Sequence, residues 1–131
     1  MKSQQTKLNT ILPIVKYGDP ILRKIVDDVT DFTYLPKMVD QMFDTMYDEN
    51  GIGLAANQVG WSINLMVIDY SRLEEKHTDL SSQFVFINSK LIKKEGCTDI
   101  EEGCLSVPEI RAIIKRSEKI TLQYQDLEKN I

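Results

Sequence analysis

Gly51-Ile52-Gly53-Leu54-Ala55-Ala56-Asn57-Gln58-Val59-Gly60 decides how the rest of the chain is read. Three glycines and two alanines in ten residues let the backbone turn freely and let other atoms approach closely. Ile52, Leu54 and Val59 keep the stretch from being a solvated linker. Upstream, Met38, Val39, Met42, Phe43 and Met46 recur at three- and four-residue steps, which predicts a helix over 34–48 with one apolar face. Asp31 or Thr33 is expected to cap its start, with Pro36 tolerated in the first turn. Asn50-Gly51 is expected to end it, glycine supplying the left-handed residue. The methionines on this face read as core filling rather than as a ligand surface.

Downstream, Ile63 to Tyr70 reads as a buried strand. Ser71 to Ser82 is charged and polar and reads as a surface loop. Phe84 to Asn88 reads as a second strand and Lys90 to Lys94 as a third. Arg111 to Arg116 and Lys119 to Tyr124 follow as two more. Before the helix, residues 1–10 read as a loosely held arm and Ile11 to Val15 as an early strand or extended segment. Tyr17-Gly18-Asp19-Pro20 is a turn, and Ile21 to Val26 a short turn or strand. A helix followed by short strands predicts a single α+β domain over residues 1–131 with mainly antiparallel strands.

Composition narrows the function. The chain has 131 residues, a net charge of -4 and 42% hydrophobic residues, which suits a globular domain and offers no basic surplus for phosphates. Direct nucleic-acid binding is not expected. Nor is a membrane span, since no apolar run approaches the roughly 20 residues required. No secretory signal is read at the N-terminus, so Cys97 and Cys104 are expected as reduced thiols in the cytoplasm.

Several chemistries match the glycine stretch only in part. Gly51-x-Gly53-x-x-Ala56 fits a dinucleotide fingerprint in letters, but that fingerprint follows a strand and opens a helix, and here the order is reversed. Asp48-Glu49-Asn50-Gly51 lacks the alternating ligands of a calcium loop. A cysteine hydrolase would pair Cys104 with the only histidine, His77, which sits among charges in the 71–82 loop. Cys97 and Cys104 do not have zinc-knuckle spacing. Cys104 stands apart because of its setting in Glu101-Glu102-Gly103-Cys104-Leu105-Ser106-Val107-Pro108-Glu109. Two flanking carboxylates disfavour a thiolate unless a cation is present, and a bound metal would resolve that conflict.

Together the two stretches resemble the first two signatures of the peptide deformylases. Gly51 to Gln58 is similar to glycine-apolar-glycine-apolar-Ala-Ala-x-Gln, and Glu102 to Ser106 to Glu-Gly-Cys-apolar-Ser. The resemblance runs from about Ile14 onward. It implies metal-dependent hydrolysis of the N-formyl group from the N-terminal methionine of new polypeptides. It implies Cys104 as a ligand of a divalent metal, Fe2+ in the family and often Zn2+ or Ni2+ in preparations. Gln58 and the backbone N–H of Leu105 are implied as donors to the formyl oxygen, worth about 2.7–4 kcal/mol each in the transition state. Ile52 and Gly53 are implied as cleft lining, where an extended peptide pairs as an added strand. Glu102 and Arg111 are implied as a supporting pair. The implied partners are formyl-methionyl peptides, including nascent chains at the ribosome.

One signature is missing. The family's His-Glu-x-x-His, which supplies two metal ligands and the general base, does not occur in this chain. A catalytic metal of this type wants three protein ligands. The expected fold is therefore that of a peptide deformylase lacking its C-terminal metal-binding helix, with weak or absent metal and little activity alone. The expectation is a C-terminally truncated domain, the alternatives being half of a split enzyme or a non-catalytic relative that binds peptides or a partner.

Overall fold

The computed structural model describes residues 11–72 and 82–131. The expected arm at 1–10, most of the 71–82 loop and His77 lie outside the described residues. Among those described there is one α-helix, α1 (Leu35–Asp48), and six strands. The strands are β1 (Gly53–Ala55), β2 (Leu65–Asp69), β3 (Gln83–Glu95), β4 (Thr98–Cys104), β5 (Val107–Arg116) and β6 (Lys119–Gln125). β1, β2, β3 and β6 form an antiparallel sheet in that order, while β4 and β5 form a separate hairpin. The architecture is α+β, as the residue pattern predicts.

The apolar face of α1 makes the core. Leu35, Val39, Met42, Phe43 and Met46 are buried and share one cluster with Leu54, Leu65, Val67 and Ile87 of the sheet. Each such side chain contributes roughly 1.5–3 kcal/mol by leaving water. Thr45 is buried in the same face, yet both its polar needs are met. Its hydroxyl donates to the Gln41 carbonyl at 2.7 Å and accepts from the Leu12 N–H at 2.9 Å. That second bond ties the extended segment 11–17 to the helix.

Both ends of α1 differ from expectation. The residue at its N-terminal cap is Tyr34, which makes no side-chain capping bond, and Asp31 instead accepts from the N–H and hydroxyl of Thr33. At the other end Asn50 takes the left-handed conformation, with φ 56°. Its N–H donates to the Tyr47 carbonyl while the Gly51 N–H donates to that of Met46, at 3.1 and 2.8 Å. These two bonds make a Schellman closure. Gly51 is needed for space, not for φ. A Cβ there would sit 2.8 Å from Leu105 Cδ1 and 3.3 Å from Met46 Cγ.

The strands also carry corrections. Phe84–Asn88 and Lys90–Lys94 belong to one long strand, β3, with register shifts on both sides of Lys90–Leu91. Asn88 sits at the first shift with φ 55°, exchanging hydrogen bonds with both backbone groups of Val29. An Asn-Ser pair that reads as a break is thus a bulge held by its own amide. The short strand β1 and the acidic strand β4 were not predicted. The segment after Pro20 forms a three-residue 3-10 helix, Pro20–Leu22. Ser82, assigned to the surface loop, is buried and donates to Asp69 at 2.6 Å.

Candidate functional site

The two motifs meet through Gln58. After β1 the chain turns through a 3-10 helix, Ala56–Val59, closed by Gly60 with φ 88°. At its start the Gln58 carbonyl oxygen Oε1 reaches back and accepts from the Ala55 N–H at 3.0 Å. This is the backward half of a capping box. The other end of the same amide, Nε2, then points at the second motif. It lies 3.6 Å from Cys104 Sγ and 3.3 Å from Ser106 Oγ.

The second motif is a hairpin tip. Cys104 closes β4, Leu105 and Ser106 turn the chain, and Val107 opens β5. Pairing breaks register after Gly103, so the Cys104–Val107 pair stands apart from the regular ladder. Cys104 is exposed, Leu105 packs partly against the core and Ser106 is 3% exposed.

An element given no role from sequence holds the two motifs together. In the segment 11–17, the Val15 N–H donates to the Gln58 carbonyl at 2.7 Å and the Tyr17 N–H to the Ser106 carbonyl at 2.9 Å. The Lys16 ammonium reaches the Leu105 carbonyl at 3.3 Å. Alternate residues of an extended chain point their N–H groups the same way, which is why Val15 and Tyr17 serve together. The sequence signal available was the apolar run 11–15, which shows burial but not its partners.

Between β1 and the hairpin lies an open cleft of about 910 Å³. Its walls include Gly51, Ile52 and Gly53 on one side, and Glu101 to Leu105 with Arg111 on the other, with Gln58 between them. Among the described residues β1 is the edge strand of its sheet, and its first residue, Gly53, borders this space. All seven residues singled out by the resemblance, Gln58, Leu105, Ile52, Gly53, Glu102, Arg111 and Cys104, line this one cleft.

Their implied pairing differs in one respect. Arg111 binds Glu101 at 3.3 Å, while Glu102 takes two 2.8 Å bonds from Arg116. The reason is the two-residue period of a strand. Gly103 faces Arg111 and Glu101 faces Ile113, so Glu101 and Arg111 share one face of the hairpin. Glu102 faces Ala112 and Thr98 faces Arg116, which places Glu102 and Arg116 on the other. The hydrogen bonds and charge of Arg116 hold the Glu102 carboxyl below its usual range.

The donors among the described residues do not by themselves fit a three-ligand catalytic metal site. Among the described residues no group of three His, Cys, Asp or Glu side chains converges. The flanking carboxylates of Cys104 are engaged by arginines. His77, outside the described residues, is the one histidine of the sequence. Cys104 therefore supplies one ligand where three are needed.

The chain is similar to known proteins over most of its length. The family model described as polypeptide deformylase matches residues 11–131. A peptide deformylase of Acidobacterium capsulatum is 46% identical over 119 residues, covering 90% of this chain and 68% of that protein. One from Flavobacterium psychrophilum is 40% identical over 127 residues, covering 88% of this chain and 65% of that protein. The chain thus spans about two thirds of the length of these relatives. The crystal structure of the Thermotoga maritima peptide deformylase superposes with a TM-score of 0.81 at 36% identity, covering 92% of this chain and 77% of that one.

Proposed function

The chain belongs to the polypeptide deformylase family, and from that premise we propose that its cleft receives the N-terminus of a formyl-methionyl peptide. The observation that carries this reading is the approach of Gln58 Nε2 to Cys104 Sγ at 3.6 Å, which joins the two signature stretches at one point. The peptide lies along the outer edge of β1 and pairs with it as an added strand, Gly53 giving the close approach. Ile52, 45% exposed, covers its apolar side chains. The formyl oxygen accepts from Gln58 Nε2–H and from the Leu105 N–H.

Hydrolysis of the formyl group is the activity this family membership supports for the whole protein, in a cytoplasmic setting on nascent chains. A single exposed cysteine does not make a three-ligand site. The incomplete donor set favours a second reading, that these 131 residues bind formyl-peptides or a partner without turning them over.

Chemical-shift mapping with a formyl-Met tripeptide, alongside a formate-release assay, tests both. The expected result is perturbation centred on Gly53, Gln58 and Leu105 with formate release near background. Perturbation elsewhere, or none, would contradict the cleft assignment, and stoichiometric turnover would contradict the second reading.

A further inference from the structure

We propose that Ser106 is a positioning residue which, with the main-chain N–H of Ala55, fixes the end of the Gln58 amide that faces the cleft. A glutamine amide carries an acceptor on one side and donors on the other, and its last torsion is broad and nearly two-fold. Turning it over costs little sterically but exchanges donor for acceptor. Hydrogen-bond partners therefore decide what the cleft meets.

The Ala55 N–H decides it here, and the Ser106 hydroxyl, which can accept or donate, then holds the donor end in place. The Ala55 N–H can only donate, and it meets Oε1 at 3.0 Å. The Ser106 hydroxyl accepts from Nε2 at 3.3 Å, and Cys104 Sγ lies 3.6 Å from the same nitrogen. A flipped amide would set Nε2 against the Ala55 N–H, two donors facing one another. It would also remove the donor from Cys104. Both orientations cannot be satisfied, so the donor end faces the second motif.

Ser106 is fitted for this by its surroundings. It is 3% exposed, so its hydroxyl meets little competition from water. Its carbonyl is held by the Tyr17 N–H and that of Gln58 by the Val15 N–H, at 2.9 and 2.7 Å. Both main chains are thus tied to one extended segment, which sets the distance between the two side chains. The use of this donor by a formyl oxygen rests on the proposed function, whereas the orientation itself does not.

The test is nuclear magnetic resonance of the Gln58 side-chain amide in the free chain. In the wild type, the Nε2 hydrogens give cross-relaxation to the β-hydrogens of Ser106 and Cys104. In Ser106→Ala these contacts fall and exchange of the amide hydrogens with water speeds up by about fivefold to tenfold, as for loss of one net hydrogen bond. Ser106→Thr, which keeps the hydroxyl, restores both. Unchanged contacts and exchange in Ser106→Ala would overturn the proposal. So would a wild-type pattern in which Nε2 hydrogens lie beside the Ala55 N–H, a result that needs no variant to fold. A chain with the expected pattern that binds no formyl-peptide keeps this assignment and refutes the functional reading alone.

Discussion

Gln58 Nε2 approaches Cys104 Sγ to 3.6 Å across 46 positions of chain. Gln58 follows β1 in the large sheet and Cys104 ends β4 in the separate hairpin. The contact therefore depends on how the hairpin is seated against the sheet. Gly51 and Leu105 make that seat, and the segment 11–17 fastens it.

Gly51→Ala should disturb the seat. Its added Cβ would meet Leu105 Cδ1 at 2.8 Å, and Leu105 must give way because Met46 is close behind. Leu105 is flexible at its end, so the expected cost is about 1 kcal/mol, at the low end for overpacking. Chemical denaturation reads that loss. Weaker formyl-peptide binding should accompany it, because the hairpin tip moves with Leu105.

Asp69 makes acid stability testable. Burial raises its carboxyl pKa, but bonds from Ser71, Ser82 and Tyr47 outweigh that and bring it from 3.8 to about 2. A folded pKa below the unfolded one gives stability that is complete above pH 4 and is lost as pH falls toward 2. The amount is at most about 2 kcal/mol, because solvent near the carboxylate screens part of the effect. Denaturant titrations at pH 7, 4 and 2 should show this drop. Asp69→Asn should be less stable at pH 7 and should lose less between pH 4 and 2.

The hairpin pairing predicts an asymmetric double-mutant cycle. Glu102 and Arg116 should show coupling that weakens with salt, because both are partly exposed. Glu102 and Arg111 should show none, since they lie on opposite faces of the hairpin. Coupling of the second pair and not the first would mean that the hairpin register differs from the one described.

Metal should matter little to this chain. Zinc added to the purified protein should raise the thermal midpoint of the wild type no more than that of Cys104→Ser, and a chelator should leave the fold intact. A stoichiometric zinc complex with a shift of several degrees, lost in Cys104→Ser, would show further ligands that the described residues do not provide.

Much of this structure is legible in the residue pattern, and the failures have physical causes. α1 is legible because five apolar residues repeat at helical spacing; Val39, Met42, Phe43 and Met46 are buried and Met38 packs partly against the same core. β4 is not legible, because Thr-Asp-Ile-Glu-Glu-Gly-Cys has an exposed, acidic strand with little alternation to read. β3 looks like two strands because Asn88 punctuates it, although the bulge there keeps the ladder going. Six of the seven residues singled out fall in the two motifs and line the cleft, but motif letters say nothing about strand faces. Hence the resemblance pairs Glu102 with Arg111, whereas the two-residue period gives it Arg116. The roles of Ser106 and of the segment 11–17 escape a sequence reading because they are played through a hydroxyl and main-chain N–H groups, whose partners the letters do not name.

The formyl-binding role of Gln58 is tested most directly by calorimetric titration in chelator. A formyl-Met tripeptide and the same peptide with a free α-amine are compared on the wild type and on Gln58→Leu. The wild type should prefer the formylated peptide by about fivefold or more, the worth of one net hydrogen bond, and Gln58→Leu should abolish that preference. Equal binding of both peptides to the wild type, or a preference that survives Gln58→Leu, would contradict it.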